Sequence, residues 1–361
     1  MNDNIIGRIF HIFMVFLTLF ASLFSVASFI FYNWGDHFSS LEFSGLVQPF
    51  TIIICIILLI YWAVRKNRWI LMPVFSLMIS IGYIGAVFQL PTHARHANYP
   101  KDSRLIIATY NVKGFQYGQT ALTVNLIADF LAENKVDILC LQEFDVTPEF
   151  PEDKIKNVLD FLPYQSIVQG EKTGFALAIF SKYPISKSYK IKFRAENNQA
   201  MWSDIVFQND TIRIFNFHLQ TTNFNQEKFD IVPEYWLWDL SGEASKTMFL
   251  MEKLKYNSDI RISQGQVINS LISTTKNPVL ACGDMNDNPA SFTYHLVKGD
   301  LKDGFKTSGC GYEYTYKHLF NLFRTDYIFH SKDLSGIKYK SYNLNYSDHK
   351  PVIMELSIPM K

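Results

Sequence analysis

Asn277–Asp287 reads NPVLACGDMND, an apolar run that starts after a proline and stops at Gly-Asp, followed by an amide and a second acid. Short apolar runs bounded by turn residues are the pattern of a buried strand. The pattern predicts a strand over Asn277–Met285 that delivers Asp284 to its end, with Asn286 two residues on and on the same face if the chain stays extended. Taken alone this has an ordinary explanation, because Asp and Asn populate turns. The same arrangement recurs along the chain, however. RLIIATYNV (Arg104–Val112) closes on Asn111, VDILCLQEF (Val136–Phe144) on Glu143, and TIRIFNFHLQ (Thr211–Gln220) on His218. Asp326 opens TDYIFHS (Thr325–Ser331), and the pair Asp348-His349 stands just before VIMELSI (Val352–Ile358). GFALAIFSK (Gly174–Lys182) and MWSDIVFQ (Met201–Gln208) add two further strands. TALTVNLIADFLAENK (Thr120–Lys135) is an amphipathic helix, and helices over Lys246–Lys255 and Ile260–Ser273 become one if the chain stays helical across Asn257. Many strands with helices between them mean a layered α/β domain, and acids, amides and histidines that repeatedly terminate apolar strands converge on one rim of a sheet.

Outward from this domain, the composition changes. Up to Leu90 lie three apolar runs, about 9–32, 46–64 and 69–90, none with an Asp, Glu, Lys or Arg. Each is near the roughly 20 residues that cross a bilayer as helix. Residues 1–91 therefore read as a membrane anchor of three transmembrane helices, 92–103 as a polar linker, and 104–361 as the layered α/β domain. A cleaved signal peptide with Ser25–Ala27 as its small-residue site is the alternative for the first run; its length and the runs that follow favour an anchor. NWGDHFSSLEF (Asn33–Phe43) holds no Lys or Arg, whereas RKNR (Arg65–Arg68) holds three, which places RKNR in the cytoplasm and the domain on the periplasmic or extracellular side. Arg95, Lys101 and Arg104 pull the other way.

The four cysteines form neither a disulfide framework nor a CxxC metal site. The chain has 34 Lys+Arg and 33 Asp+Glu, net +1; subtracting four and three in the apolar region leaves 30 of each sign beyond it. A formally neutral domain counts against strong nucleic-acid binding, which draws on a basic footprint.

TYNV, DILCLQE, FNFHLQ, GDMNDNP, RTDYIF and YSDHKPV, in this order between Thr109 and Val352, resemble the motifs of the endonuclease/exonuclease/phosphatase superfamily. The resemblance implies a four-layer α/β/β/α sandwich, two packed mixed sheets flanked by helices, and hydrolysis of a phosphoester with Mg²⁺ or, in its place, Mn²⁺. The residue types also suit that chemistry directly. A phosphodiester's charge must be neutralised, water activated and the leaving oxygen stabilised. Glu143 is the best candidate Mg²⁺ ligand with Asn111 beside it; Asp284 polarises the water, Asn286 holds water or a phosphate oxygen, and His349 transfers a proton or stabilises phosphate. By resemblance Asp326 orients His349, His218 contacts the scissile phosphate, and Asp348 serves as a metal ligand. The glutamate that supports the second histidine in deoxyribonuclease-like members has only Glu171 to match it here.

No G-x-S-x-G, H-E-x-x-H or G-x-x-x-x-G-K-[ST] pattern points to other chemistry. The substrate stays open between nucleic acid and a lipid or small phosphoester, and a non-enzymatic membrane scaffold is the alternative from another class. The segment Thr221–Ala244, with aromatics through residues 224–240, reads either as a lid or as an interfacial wedge. No protein partner is inferred.

Overall fold

The computed structural model describes residues 2–91, 100–115, 120–145, 151–170, 175–193, 198–222 and 243–359. The aromatic segment 224–240 and Glu171 lie outside the described residues. In chain order the helices are α1 (Asn2–Trp34), α2 (Glu42–Leu46), α3 (Gln48–Val64), α4 (Leu71–Ile79), α5 (Ile81–Val87), α6 (Thr120–Glu133), α7 (Glu152–Val158), α8 (Glu243–Ser273), α9 (Phe292–Lys298) and α10 (Gly304–Ser308). The strands are β1 (Phe88–Gln89), β2 (Arg104–Asn111), β3 (Ile138–Phe144), β4 (Tyr164–Gln169), β5 (Ala176–Ser181), β6 (Ile185–Ile191) and β7 (Gln199–Phe207). They continue with β8 (Asp210–His218), β9 (Val279–Asp284), β10 (Lys302–Asp303), β11 (Gly311–Tyr312), β12 (Asp326–His330), β13 (Ser335–Ser341) and β14 (Val352–Ser357).

The chain divides into two compact units, the first comprising Met1–Ile84, Thr221–Ile262 and Ala290–His295. Within it α1 is long and apolar enough to cross a membrane over Ile5–Trp34. The second apolar run is one helix, Gln48–Val64, that starts at a 55° bend from Ser39–Leu46, and the third is broken inside, Arg68–Ile79 and Ile81–Val87 meeting at 58°, so three spans exist only if each bent pair counts as one. Hydrogen bonds stitch these helices across their buried faces, from Trp62 Nε1 to Thr18 Oγ1 (2.9 Å), Ser76 Oγ to Ser22 Oγ (3.1 Å) and Gln48 Nε2 to Ser80 Oγ (2.7 Å). Such polar links hold apolar helices together where water exclusion gives no drive. In the same unit the Arg261 guanidinium of α8 pairs with Glu42 at the start of α2, both buried.

The second unit, Gly85–Gln220, Ser263–Pro289 and Leu296–Lys361, carries both large sheets. One has strand order β10-β12-β9-β8-β7-β6 and the other β13-β14-β2-β3-β5-β4. Both are mixed, with β8/β9 and β2/β3 parallel and the other neighbours antiparallel. Side chains alternate along each strand. Leu105 and Ile107 of β2, Ile138 and Cys140 of β3, Ile212 and Ile214 of β8, Leu280 and Cys282 of β9, Ile328 of β12 and Met354 of β14 form one cluster between the sheets. The alternate residues Ala108, Tyr110, Leu139 and Leu141 face outward under Val124, Ile127 and Leu131 of α6 and Ile155 of α7. This is the four-layer sandwich expected from sequence.

A fully buried ion pair pins one end of it. The Arg324 guanidinium donates to Asp303 Oδ2 and Oδ1, both at 2.7 Å, and to the Ala86 carbonyl at 2.9 Å, with the Tyr327 ring 4.6 Å away. Burial works against its charge, but Asp303 outweighs burial and holds the proton more tightly than usual. Replacing Asp303 by Asn strands a buried cation and is expected to destabilise the protein by about 3–5 kcal/mol. Adding Arg324→Met should recover part of the loss, both read as shifts in Tm.

Candidate active site

The alternation that makes the core also makes the site. On the inward face, Leu105 and Ile107 are followed by Thr109 and Asn111, Ile138 and Cys140 by Gln142, Ile212 and Ile214 by Asn216 and His218, and Leu280 and Cys282 by Asp284. Each inward series turns from apolar to polar toward one end, β2 and β8 one inward position before their parallel neighbours, since Thr109 pairs with Cys140 and Asn216 with Cys282. The first polar layer is buried and bonded across the sheets: Gln142 Nε2 donates to Thr109 Oγ1 (3.0 Å) and Asn216 Oδ1 (2.7 Å), while Asn216 Nδ2 donates to the carbonyls of Leu141 and Ala178, both at 3.0 Å, and Gln142 Oε1 is left without a partner.

Above it lies the reactive layer. In the first sheet Gln199, His218, Asp284 and Asp326 are successive ladder partners across β7, β8, β9 and β12. Gly283 permits this register: its φ is +144°, and a Cβ there would fall 2.0 Å from the Phe217 carbonyl oxygen. In the second sheet the β3/β5 register slips between Leu141 and Phe144, and Glu143 takes φ +49°. Asn111 Nδ2 then bridges the two sheets, donating to Glu143 Oε1 (3.0 Å) and Asp284 Oδ2 (3.1 Å). His218 Nε2 stands 3.5 Å from Glu143 Oε1 and 3.7 Å from Asp284 Oδ2, buried and without a hydrogen-bond partner.

His349 completes the layer from the connection before β14. Its Nδ1 is 2.9 Å from Asp326 Oδ2, and its Nε2 is 3.8 Å from Asp284 Oδ2. Burial resists protonation of this ring, but Asp326, Asp284 and Asp348 outweigh burial and push its pKa up to about 10. Burial and then repulsion from Asp326 push the Asp284 carboxyl up, against the pull of His349, His218 and the Asn286 N–H.

The other expected residues are placed as follows. β9 ends at Asp284 and Asn286 has φ +52°, so the chain is no longer extended there and the two do not share a strand face. Instead the Asn286 N–H donates to Asp284 Oδ1 (2.8 Å) and its Nδ2 to the Leu219 carbonyl (3.0 Å), which makes Asn286 a brace for Asp284. Asp348 is paired with the Lys113 ammonium, and His318 Nε2 lies 4.0 Å from the same oxygen. Burial would raise Asp348, but His349 and Lys113 outweigh it and hold its carboxyl below the usual range.

Sequence reading missed Lys113, Gln142, Asn216 and the loop residues Tyr316 and Lys317. Lys317 donates its N–H to the Asp348 carbonyl (2.9 Å) and its ammonium to the Ser347 carbonyl (2.6 Å), while Tyr316 forms a β-bridge with His349. Inward alternation alone marked Gln142 and Asn216; no comparable signal marked the loop.

One family model, the Endonuclease/Exonuclease/phosphatase family, matches residues 108–349. The chain belongs to that family. A second model, a domain of unknown function (DUF8431), matches residues 5–87. No curated protein matches by sequence. Among solved structures, the human Nocturnin catalytic domain is 18% identical with TM-score 0.52, covering 72% of this chain and 96% of its own. D. rerio TDP2 humanized by 14 mutations is 16% identical with TM-score 0.51, covering 71% and 99%. A family protein from Bacteroides vulgatus is also 16% identical with TM-score 0.51, covering 71% and 99%.

Family members are phosphoester hydrolases, and the donor set suits a hard divalent cation. Asp284, Asp326 and His349 offer ligand atoms within 4.8 Å of one another. The short His349–Asp326 contact makes that pair a hydrogen-bonded dyad. Glu143 and Asp284, by contrast, share a single neutral amide donor, and both face the unpartnered His218 Nε2, so positive charge is wanted between them.

Because His349 titrates above its ordinary 6.5, the stability from its attraction to the carboxylates is complete below that value and is lost as pH rises through about 10. Asp326→Asn removes the largest attraction on the proton. The alkaline limb of the kcat/KM profile is expected to move to lower pH by about one unit or more.

Proposed function

We propose that this family hydrolase is a membrane-anchored, Mg²⁺-dependent enzyme that directs water at a phosphoester, with residues 1–91 as anchor, 92–103 as linker and 104–361 as catalytic domain. The reading rests on one observation above all, the His349 ring held by Asp326 at 2.9 Å on one side with its Nε2 3.8 Å from Asp284 on the other. Burial and Asp326 raise the proton affinity of Asp284, which suits it to take a proton, while the surrounding carboxylates make His349 hold a proton that it can give to a leaving group. Glu143 would hold Mg²⁺, which when bound neutralises phosphate charge and stabilises the leaving oxygen; Asn111, whose Nδ2 donates to Glu143 Oε1 and whose Oδ1 accepts from the Lys113 N–H, would orient that carboxylate beside the ion. Asp284 takes the proton of the attacking water. His349 gives its proton to the leaving oxygen and recovers it from bulk. His218, with a ring nitrogen unspent on protein, binds a phosphoryl oxygen; Asp326 positions His349, and Asn286 positions Asp284. Asp348 holds the Lys113 ammonium at the lip of the site.

In this reading three spans leave RKNR cytoplasmic and the catalytic domain on the periplasmic or extracellular side. Support comes from inside the first unit: Glu42, between the first two apolar runs, pairs with Arg261 of α8, at the end of the helices opposite Arg65–Arg68.

Two measurements test the proposal. Full-length protein in detergent should hydrolyse bis-p-nitrophenyl phosphate with Mg²⁺, stop with EDTA and recover with added Mg²⁺. Glu143→Gln, Asp284→Asn and His349→Asn should each lower kcat by about 10²–10⁴; equal rates in wild type and variants would mean a scaffold. The exposed Cys310 should react with a membrane-impermeant maleimide from outside spheroplasts, while a cysteine at Lys66→Cys should react only after lysis.

A further inference from the structure

The loop between β11 and β12 has a tip that no catalytic role requires. Among the described residues Phe320 is the most exposed large apolar side chain, at 82%, and its neighbour Leu319 is 46% exposed. Leu319, Phe320 and Asn321 have successive φ values of 55°, 64° and 58°. Bulky residues avoid this left-handed region, and a loop that needed only to turn would use Gly or Asn there. The strained tip is held from below: Tyr316 bridges Phe323 and His349, Lys317 binds the Ser347 carbonyl, and Tyr312 Oη donates to the Asn321 carbonyl at 3.2 Å. Its root is also the wall of the site. The Tyr316 ring lies 5.1 Å from that of His349.

The base of this hairpin is joined to the place where the third apolar run ends. Phe88 pairs with Tyr312 and Gln89 with Gly311, and the Glu313 N–H donates to the Val87 carbonyl at 2.8 Å. Phe88, Leu90 and Tyr312 are 45%, 69% and 45% exposed. Single exposed apolar residues are ordinary, but these five lie on two backbone segments, 88–90 and 312–320, that the β1/β11 pairing joins.

We infer that Leu319 and Phe320, with Phe88, Leu90 and Tyr312, form an interfacial finger lying in the headgroup region of the bilayer, and that the site takes a phosphoester carried on a lipid. The inference rests on the hydrolase reading above. The occupant is a lipid surface because the patch continues directly from an apolar run of spanning character, and because exposed Tyr and Phe beside exposed Leu match the boundary between acyl chain and headgroup. A nucleic acid would be met by a basic track with aromatic platforms, whereas this domain is formally neutral and one of the two tip residues is aliphatic.

The test uses the full chain reconstituted in vesicles of phosphatidylcholine, phosphatidylglycerol and phosphatidic acid. Leu319→Asn with Phe320→Asn keeps a residue type that tolerates the left-handed turn. Headgroup or phosphate release from the vesicles should fall about tenfold or more in this variant, from the lost apolar transfer, while hydrolysis of soluble bis-p-nitrophenyl phosphate stays unchanged. An environment-sensitive fluorophore on Phe320→Cys, in a Cys310→Ser background, should be quenched by doxyl-labelled lipid. Equal loss on both substrates, no loss on vesicles, absence of quenching, or cleavage of single-stranded DNA or RNA in place of lipid would each overturn the finger. If wild type fails even on the soluble diester with Mg²⁺, the hydrolase reading falls separately, and the quenching result still decides whether the tip lies in the bilayer.

Discussion

Two carboxylates with no exposure, Asp284 and Asp326, face each other as ladder partners on β9 and β12. Like charges in so dry a place repel strongly, and an arrangement of this kind persists only with positive charge between them. His349 supplies it. Because His349 reaches in from the connection before β14, in the opposite sheet, the charge that makes the acids tolerable also ties the two sheets together at their polar rim. The position of the loop that carries His349 is therefore a condition for the site, and the clasp made by Tyr316, Lys317 and Ser347 meets that condition.

Below the rim, the bonded layer of Thr109, Gln142 and Asn216 separates carboxylates from hydrocarbon. These amides bond across the two sheets, so they fix relative register where apolar packing would accept several. Asn111, Glu143, His218 and Asp284 then stand on strand ends, which is why distances near 3 Å between Asn111, Glu143 and Asp284 arise from three separate strands.

Much of this was legible in the residues. The runs ending in Asn111, Glu143, His218 and Asp284 are strands that end there or nearly so, and the inward face follows from counting by two. The strands that escaped notice have a common cause. β4, β6 and β13 each lie at a sheet edge, and their half-exposed residues spell no apolar run. The break at Ser80 escaped because both sides of it are equally apolar, so composition carries no trace of the bend. Whether Asn286 shares the face of Asp284 stayed conditional in the sequence, because a sequence shows where a strand can run and not where a positive φ stops it. Lys113 sits just past a strand in a left-handed turn, and its pairing with Asp348 spans residues that no local pattern connects.

Arg324 donates beyond its partner Asp303 to Tyr339 Oη and to the carbonyl of Ala86, which lies at the end of the apolar region, 238 residues earlier in the chain. Synthesis runs from the first residue to the last, so the close of the final apolar helix waits for its partner until nearly the whole polypeptide exists. Long-range closures of this kind form late. The exit from the apolar region is thus a seam sealed at the end of biosynthesis, and ribosome-bound chains that stop short of Arg324 leave it open.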